Sequence, residues 1–178
     1  MAPISYKLIR SDRRSIGIQI TQEGVVVRAP RRMSDAEIDH FVQSKRGWIE
    51  THLAKVPTGQ PKFSNEEIHA LADEALKHIP ERVRHFAPKV GVTYGGITIR
   101  NQHTRWGSCS AKGNLNFNCL LMRTPDHVID YVVVHELCHR LEMNHSARFW
   151  SHVERVLPDY RKSLQWLKAH EWELIGRL

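Results

Sequence analysis

Tyr131-Val132-Val133-Val134-His135-Glu136-Leu137-Cys138-His139-Arg140-Leu141-Glu142-Met143-Asn144-His145 is the stretch that decides how this chain is read. It holds His-Glu-x-x-His, then a third histidine six positions after the second. Residues four apart on a helix lie one turn above each other on the same face. His135 and His139 therefore aim two imidazole nitrogens at one point, and Glu136 starts from a neighbouring position. Two neutral nitrogen ligands and a carboxylate base beside an open coordination position are what a zinc-activated water requires. His145 is the expected third ligand, because its short tether leaves little chain entropy to lose. Glu154 and His152, on the helix expected next, are the alternatives. Three imidazoles and an open position suit Zn2+, one ion per chain, better than other common metals.

Working outward, Thr124-Pro125-Asp126 reads as a helix start, with a threonine cap, proline at the first position and an acid at the positive end. Val128, Val132, Val133, Leu137 and Leu141 make this a core helix. Asn144 is expected in the left-handed conformation, ending the helix and turning His145 back toward the metal. Ser146 caps a following helix with Phe149, Trp150, Val153, Val156 and Leu157. Pro158-Asp159 breaks the chain before a last amphipathic helix carrying Tyr160, Leu164, Trp166 and Leu167.

On the other side of the motif, Leu115, Phe117 and Cys119 alternate with Asn116, Asn118 and Leu120 after a Lys112-Gly113-Asn114 turn. If this strand is the sheet edge above the metal helix, its unpaired backbone can bind an extended peptide. Val90–Tyr94 and Ile97–Arg100 flank Gly95-Gly96 and read as a hairpin. Ser64-Asn65-Glu66-Glu67 is a capping box opening a helix that Pro80 is expected to kink or restart.

The first third of the chain reads as an antiparallel β-meander from Ser5 to Pro30. A helix follows, opened by the capping box Ser34-Asp35-Ala36-Glu37 and carrying Ile38, Phe41, Val42, Trp48 and Ile49, with Trp48 expected in the core. Pro57-Thr58-Gly59-Gln60-Pro61 is the most linker-like composition. It divides an N-terminal meander-plus-helix subdomain, 1–60, from a catalytic domain, 61–178.

Composition bounds the class. The 178 residues are 41% hydrophobic and 25% charged, as expected of a folded globular protein. No apolar run is long enough to span a bilayer, and the first residues lack the apolar region of a secretion signal. Three cysteines without paired spacing suggest free thiols in a reducing cytoplasm. The net charge of +7 is unevenly placed. Lys7, Arg10, Arg13, Arg14, Arg28, Arg31, Arg32, Lys45 and Arg46 all fall in the first 50 positions, so weak contact with nucleic acid or another polyanion is expected there.

With these residues in hand, the sequence resembles the YgjP-like metal-dependent hydrolases and their SprT-like zinc metalloprotease relatives. The resemblance spans nearly the whole chain. It is most specific at Arg105-Trp106-Gly107-Ser108-Cys109, the Asn116 strand, Val134-His135-Glu136-Leu137-Cys138-His139, Asn144-His145-Ser146, Phe149-Trp150 and Leu157-Pro158-Asp159-Tyr160. It implies a zincin-like α+β fold, a small antiparallel sheet packed on helices, with His135, His139 and His145 as ligands and Glu136 as base. Arg140 stands where the family commonly has an apolar residue, which bears on packing or the cleft rim.

The function expected is that of a zinc-dependent metallopeptidase. Glu136 assists attack of a zinc-bound water on the scissile carbonyl and returns the proton to the leaving amine. Tyr160, Arg148 and Arg105 are the residue types suited to the developing oxyanion. The substrate-facing residues expected are Trp106, Asn116, Asn118, Arg148 and Tyr160. Two alternatives stand beside this: a metal-dependent nucleotide phosphohydrolase, and a nucleic-acid-associated module with structural zinc. The second needs a fourth protein ligand, which the sequence does not offer in register.

Overall fold

The computed structural model describes residues 3–54, 56 and 61–177; Pro57 to Gln60 of the linker-like stretch lie outside them. The chain falls into two compact units, Met1–Pro61 and Lys62–Gly176. The class is α+β, with two small sheets.

The first unit holds β1 (Tyr6–Ser11), β2 (Gly17–Thr21), β3 (Gly24–Pro30), α1 (Asp35–Ser44) and α2 (Arg46–Leu53). The expected meander does not form. The order is β1-β3-β2, with β1 parallel and β2 antiparallel to β3. The most apolar strand takes the centre: Val25, Val27 and Ala29 of β3 are buried. A central strand is covered by neighbours on both edges, so the Val-rich segment gains most there. The capping box at Ser34 and Glu37 forms as read from the sequence. The single expected helix divides at Lys45 (φ −104°, ψ 12°). Ile38, Val42 and Ile49 point inward, whereas Trp48 is 44% exposed and stacks on His52 at 4.1 Å. One residue before Ile49, Trp48 sits about 100° around the helix from the inward line, which is why it is not core.

The second unit opens with α3 (Asn65–Val90), capped by Ser64 and Glu67. It runs unbroken through Pro80 and Pro88, contrary to the expected restart. The carbonyls deprived of a partner belong to Leu76 and Arg84, both on the exposed face, open to solvent. The helix ends at left-handed Gly91 (φ 86°), so Val90–Tyr94 form no strand and the Gly95-Gly96 hairpin is absent. Instead Gly95 and Gly96 pack on the 110–114 turn, with Gly95 N donating to Gly113 O and Gly96 N to Asn114 Oδ1.

The second sheet repeats the order of the first. β4 (Ile97–Arg100) is parallel to β6 (Leu115–Asn118), and β5 (Gly107–Cys109) is antiparallel to it. The sheet is mixed rather than antiparallel, and β6 is central rather than an edge. Leu115 and Phe117, fully buried, account for its place. A 3-10 turn (Cys119–Arg123) leads into α4 (Asp126–Cys138), followed by α5 (Ala147–Val156) and α6 (Tyr160–Leu174).

α4 is the core of this unit. Val128, Ile129, Tyr131 to Val134 and Leu137 are buried against α3, β5, α5 and α6. Burying such side chains contributes roughly 1.5–3 kcal/mol each. Arg82 of α3 forks onto Asp130 of α4 at 2.6 and 2.7 Å, locking the two helices in register. Thr124 does not cap α4: its hydroxyl donates to Leu121 O, and Pro125 holds the cap position. Among the described residues no helix is long and apolar enough to cross a membrane.

Candidate metal centre

The site is built where α4 ends. His135 lies in its last turn, and His139 is its C-cap, still helical (φ −63°, ψ −13°), with its N–H donating to His135 O at 3.3 Å. Turn bonds from Arg140, Leu141 and Glu142 back to Leu137 and Cys138 then curl the chain. Asn144 turns it without a left-handed backbone: no described non-glycine residue has positive φ. Its side-chain oxygen accepts from Ser146 N at 3.2 Å, and that turn delivers His145. Ser146 then caps α5 through Phe149 N.

The outcome is a triangle of imidazoles. Ring centroids lie 4.9 Å apart for His135–His139, 4.9 Å for His135–His145 and 4.8 Å for His139–His145. One nitrogen from each lies within 4.8 Å of the others. The Nε2 atoms of His135 and His145 approach to 2.9 Å. Two of the remaining nitrogens meet groups outside the triangle: His139 Nδ1 donates to Glu142 O at 3.0 Å, and Tyr131 OH lies 3.5 Å from His135 Nδ1. Such outer bonds fix the tautomer that leaves Nε2 free to ligate. Burial, reinforced by the two neighbouring histidines, pushes His135 down to about 3, and burial also lowers His139. Both are therefore neutral, ligand-ready imidazoles at physiological pH.

Phe149, fully buried, is the floor of the triangle, with its ring 4.6–4.9 Å from all three imidazoles. From its spacing in the chain it reads only as part of the apolar face of the helix after Ser146. Its position one turn after the Ser146 cap was the available signal, since that places it facing back toward His145.

Glu136 is 5% exposed. Burial pushes its carboxyl up to about 8, opposed by the Arg105 guanidinium. Its Oε2 is buried without a hydrogen-bond partner. A buried, unpartnered carboxylate oxygen on a residue that lines the same cavity as His135 fits a site made to hold a cation and its water. Among the described residues no fourth His, Cys, Asp or Glu joins the triangle, so the donor set leaves a position open. Glu154 pairs instead with Arg161 at 4.0 Å, and His152 also lies outside the triangle.

Glu136 is pressed against β5. A Cβ at Gly107 would lie 2.7 Å from Glu136 Oε1 and 2.8 Å from its Cγ. The glycine of Arg105-Trp106-Gly107 is thus a seat for the carboxylate. From the sequence alone, Gly107 reads only as part of the Arg105-Trp106-Gly107-Ser108-Cys109 stretch. A cavity of about 290 Å³ opens alongside, walled by Trp106, Val132, Leu164 and Leu167 and bordered by Arg105 and Lys168.

The other expected substrate residues are placed as follows. Trp106 is buried, lines the cavity and has an unpartnered Nε1. Asn116 donates to Ser108 Oγ on β5 at 3.2 Å. Asn118 is fully buried; its amide donates to Gln102 O and Arg105 O and its oxygen accepts from Leu120 N. It shapes the loop before β5 and has no surface for a substrate. Arg148 pairs with Glu142 at 3.0 Å near the His145 turn. Tyr160 is buried between Tyr131 and Trp150, with ring distances of 6.2 and 5.4 Å, one layer away from the histidines. Arg140 donates to Thr93 O and Ala111 O, tying the helix end to the β5–β6 turn.

A family model described as YgjP-like, metallopeptidase domain, matches residues 14–75 and 60–170. No curated protein matches the chain. Among solved structures, the metallopeptidase zymogen of Pyrococcus abyssi abylysin is similar with a TM-score of 0.48 and 20% identity, over 52% of this chain and 95% of that one. The metallopeptidase zymogen of Methanocaldococcus jannaschii jannalysin is similar with a TM-score of 0.42 and 20% identity, over 51% of this chain and 98% of that one.

Proposed function

The chain belongs to the YgjP-like metallopeptidase domain family, and from that premise we propose that His135, His139 and His145 hold a single Zn2+ and that Glu136 is the general base of peptide hydrolysis. The observation that carries this is the imidazole triangle beside a buried carboxylate with an unpartnered oxygen. The bound ion supplies Lewis-acid polarisation and an acidified water.

The chain's own residues do the rest. Glu136 takes the proton of the attacking water and passes it to the leaving nitrogen. Gly107 fixes the carboxylate's position by leaving room for it. Of the three residues suited to the oxyanion, Arg105 is favoured, since it borders the cavity beside Glu136. Tyr160 is enclosed in an aromatic stack, and Arg148 is committed to Glu142. An extended peptide would align along the free edge of β5, not along β6, whose backbone is paired on both sides. Asn116 orients Ser108 on that edge, and Trp106 walls the adjoining cavity.

The catalytic module is residues 61–178, and the partner is a peptide or protein, with polyanion contact through the basic N-terminal segment as a second partner class. The three free thiols, Cys109, Cys119 and Cys138, support a cytoplasmic location.

Metal analysis with peptide hydrolysis tests the assignment. The metal-free protein is inactive and Zn2+ restores it. Glu136→Gln retains the metal and loses roughly 10²–10⁴-fold in kcat. Unchanged turnover in that variant removes Glu136 from the chemistry.

A further inference from the structure

The first unit carries a second site, of opposite charge. Because β1 and β3 run parallel and adjacent, Ser11 pairs with Pro30, so both strands end side by side. The segments leaving them, Arg13-Arg14 and Arg31-Arg32, emerge about 5 Å apart. A meander would have set them two strand spacings apart. Arg31 N donates to Ser11 O, extending the ladder into the basic segment. The four arginines, with Ser11, Asp12 and Pro30, line a cavity of about 370 Å³.

The cluster is held in place. Arg10 donates to the carbonyls of Pro30, Arg31 and Met33 and pairs with Asp35, which fixes the segment carrying Arg31 and Arg32. Gly17 leaves room for Arg13: a Cβ there would lie 3.3 Å from the Arg13 guanidinium. Arg13 Nε is buried without a partner. Asp12 is the one carboxylate in the cavity lining and is taken by Arg31 at 2.9 Å. Arg13, Arg14 and Arg32 have no carboxylate partner among the described residues.

The charge continues along the sheet. Val25, Val27 and Ala29 face inward, so Arg28 and, by register, Lys7 lie on the outward face, where both are exposed. β1, β2 and β3 contain no acidic residue. A merely solvated surface has no need of four arginines and no lysine around one cavity. Guanidinium forks matched to oxyanions do.

We propose that this face binds the phosphodiester backbone of a nucleic acid, the arginine cluster gripping one phosphate and Arg28 and Lys7 meeting its neighbours. A row of positive groups on an acid-free sheet suits a repeating anion rather than a lone one.

The test is fluorescence anisotropy of the full chain with a labelled DNA duplex across a salt series. Arg14 and Arg32 are exposed and unpaired, so replacing both leaves the fold intact. Arg14→Ala/Arg32→Ala is expected to weaken binding about tenfold at low salt. It should also flatten the slope of log K against log salt by up to about 0.9, the value of the one phosphate contact the cluster makes. A charge-matched control, Lys77→Ala/Arg84→Ala on the exposed face of α3, should change neither. The proposal is overturned if the first variant binds like wild type, or if the control loses as much, which would make net charge the cause. Displacement of the duplex by polyglutamate of equal charge would assign the face to acidic proteins instead. Displacement by orthophosphate at constant ionic strength would reduce it to a single-phosphate site. The readout is binding, so it is independent of whether the metal centre hydrolyses peptides.

Discussion

The two sheets share one topology and do different work. In each, the third strand inserts between the first two, parallel to one and antiparallel to the other. In each, the antiparallel edge strand begins with a glycine, Gly17 in β2 and Gly107 in β5, and each glycine gives space to a charged side chain. In the first unit that side chain is Arg13, the far end of a flexible guanidinium. In the second it is Glu136, fixed on the core helix beside three histidines. Strand order is thus indifferent to function. What the edge strand is pressed against decides which chemistry it serves.

Exchanging these two glycines for alanine sharpens the contrast most. Gly107→Ala forces the Glu136 carboxyl away from β5, since the added carbon would lie 2.7–3.0 Å from three of its atoms. We expect kcat for peptide hydrolysis to fall about 100-fold with metal content unchanged, because displacements near 1 Å cost that much. Normal turnover would show that Glu136 needs no seat on the strand.

Next in size is a pH effect confined to the second unit. Glu136 has its folded pKa raised to about 8. The folded state therefore binds its proton more tightly than the unfolded chain. Relative stability is full below the ordinary carboxyl range and is lost as pH rises toward 8. In the metal-free protein, thermal unfolding of wild type against Glu136→Gln should show wild type losing on the order of 2 kcal/mol relative to the variant between about pH 5 and 8. Parallel pH curves would contradict the buried carboxyl. His135, lowered to about 3, acts in the opposite sense: its contribution is full above the ordinary histidine range and is lost as pH falls from there toward 3.

The smallest effect expected is that of Gly17→Ala. Arg13 can withdraw, so stability should shift by no more than about 0.5 kcal/mol and hydrolysis should not change. A loss of hydrolysis comparable to that of Gly107→Ala would break the comparison between the two edges.

Local features were legible in the sequence. The capping boxes at Ser34 and Ser64 form, because their bonds close within three residues. His135 and His139 share a face because helical periodicity puts them there. Trp48 and Asn144 misled for the same reason in reverse. Their residue types fit a core position and a left-handed stop, but Trp48 lies off the inward line and Asn144 turns the chain with its side chain. Pro80 misled because a helix whose missing bond faces water can continue through a proline. Asn118 alternates like a ligand-facing residue, yet it is used up in holding backbone carbonyls.

Spacing and composition alone predicted the histidine triad, the helices that carry it and the basic character of the first unit, since each depends on features within a few turns of chain. Tertiary structure decided which strand sits at each centre, that Gly107 seats Glu136, that Phe149 floors the histidines and that four arginines meet at one end of β1 and β3. These depend on which apolar segment gains most by burial on both edges, and that competition is settled only when distant parts of the chain pack together.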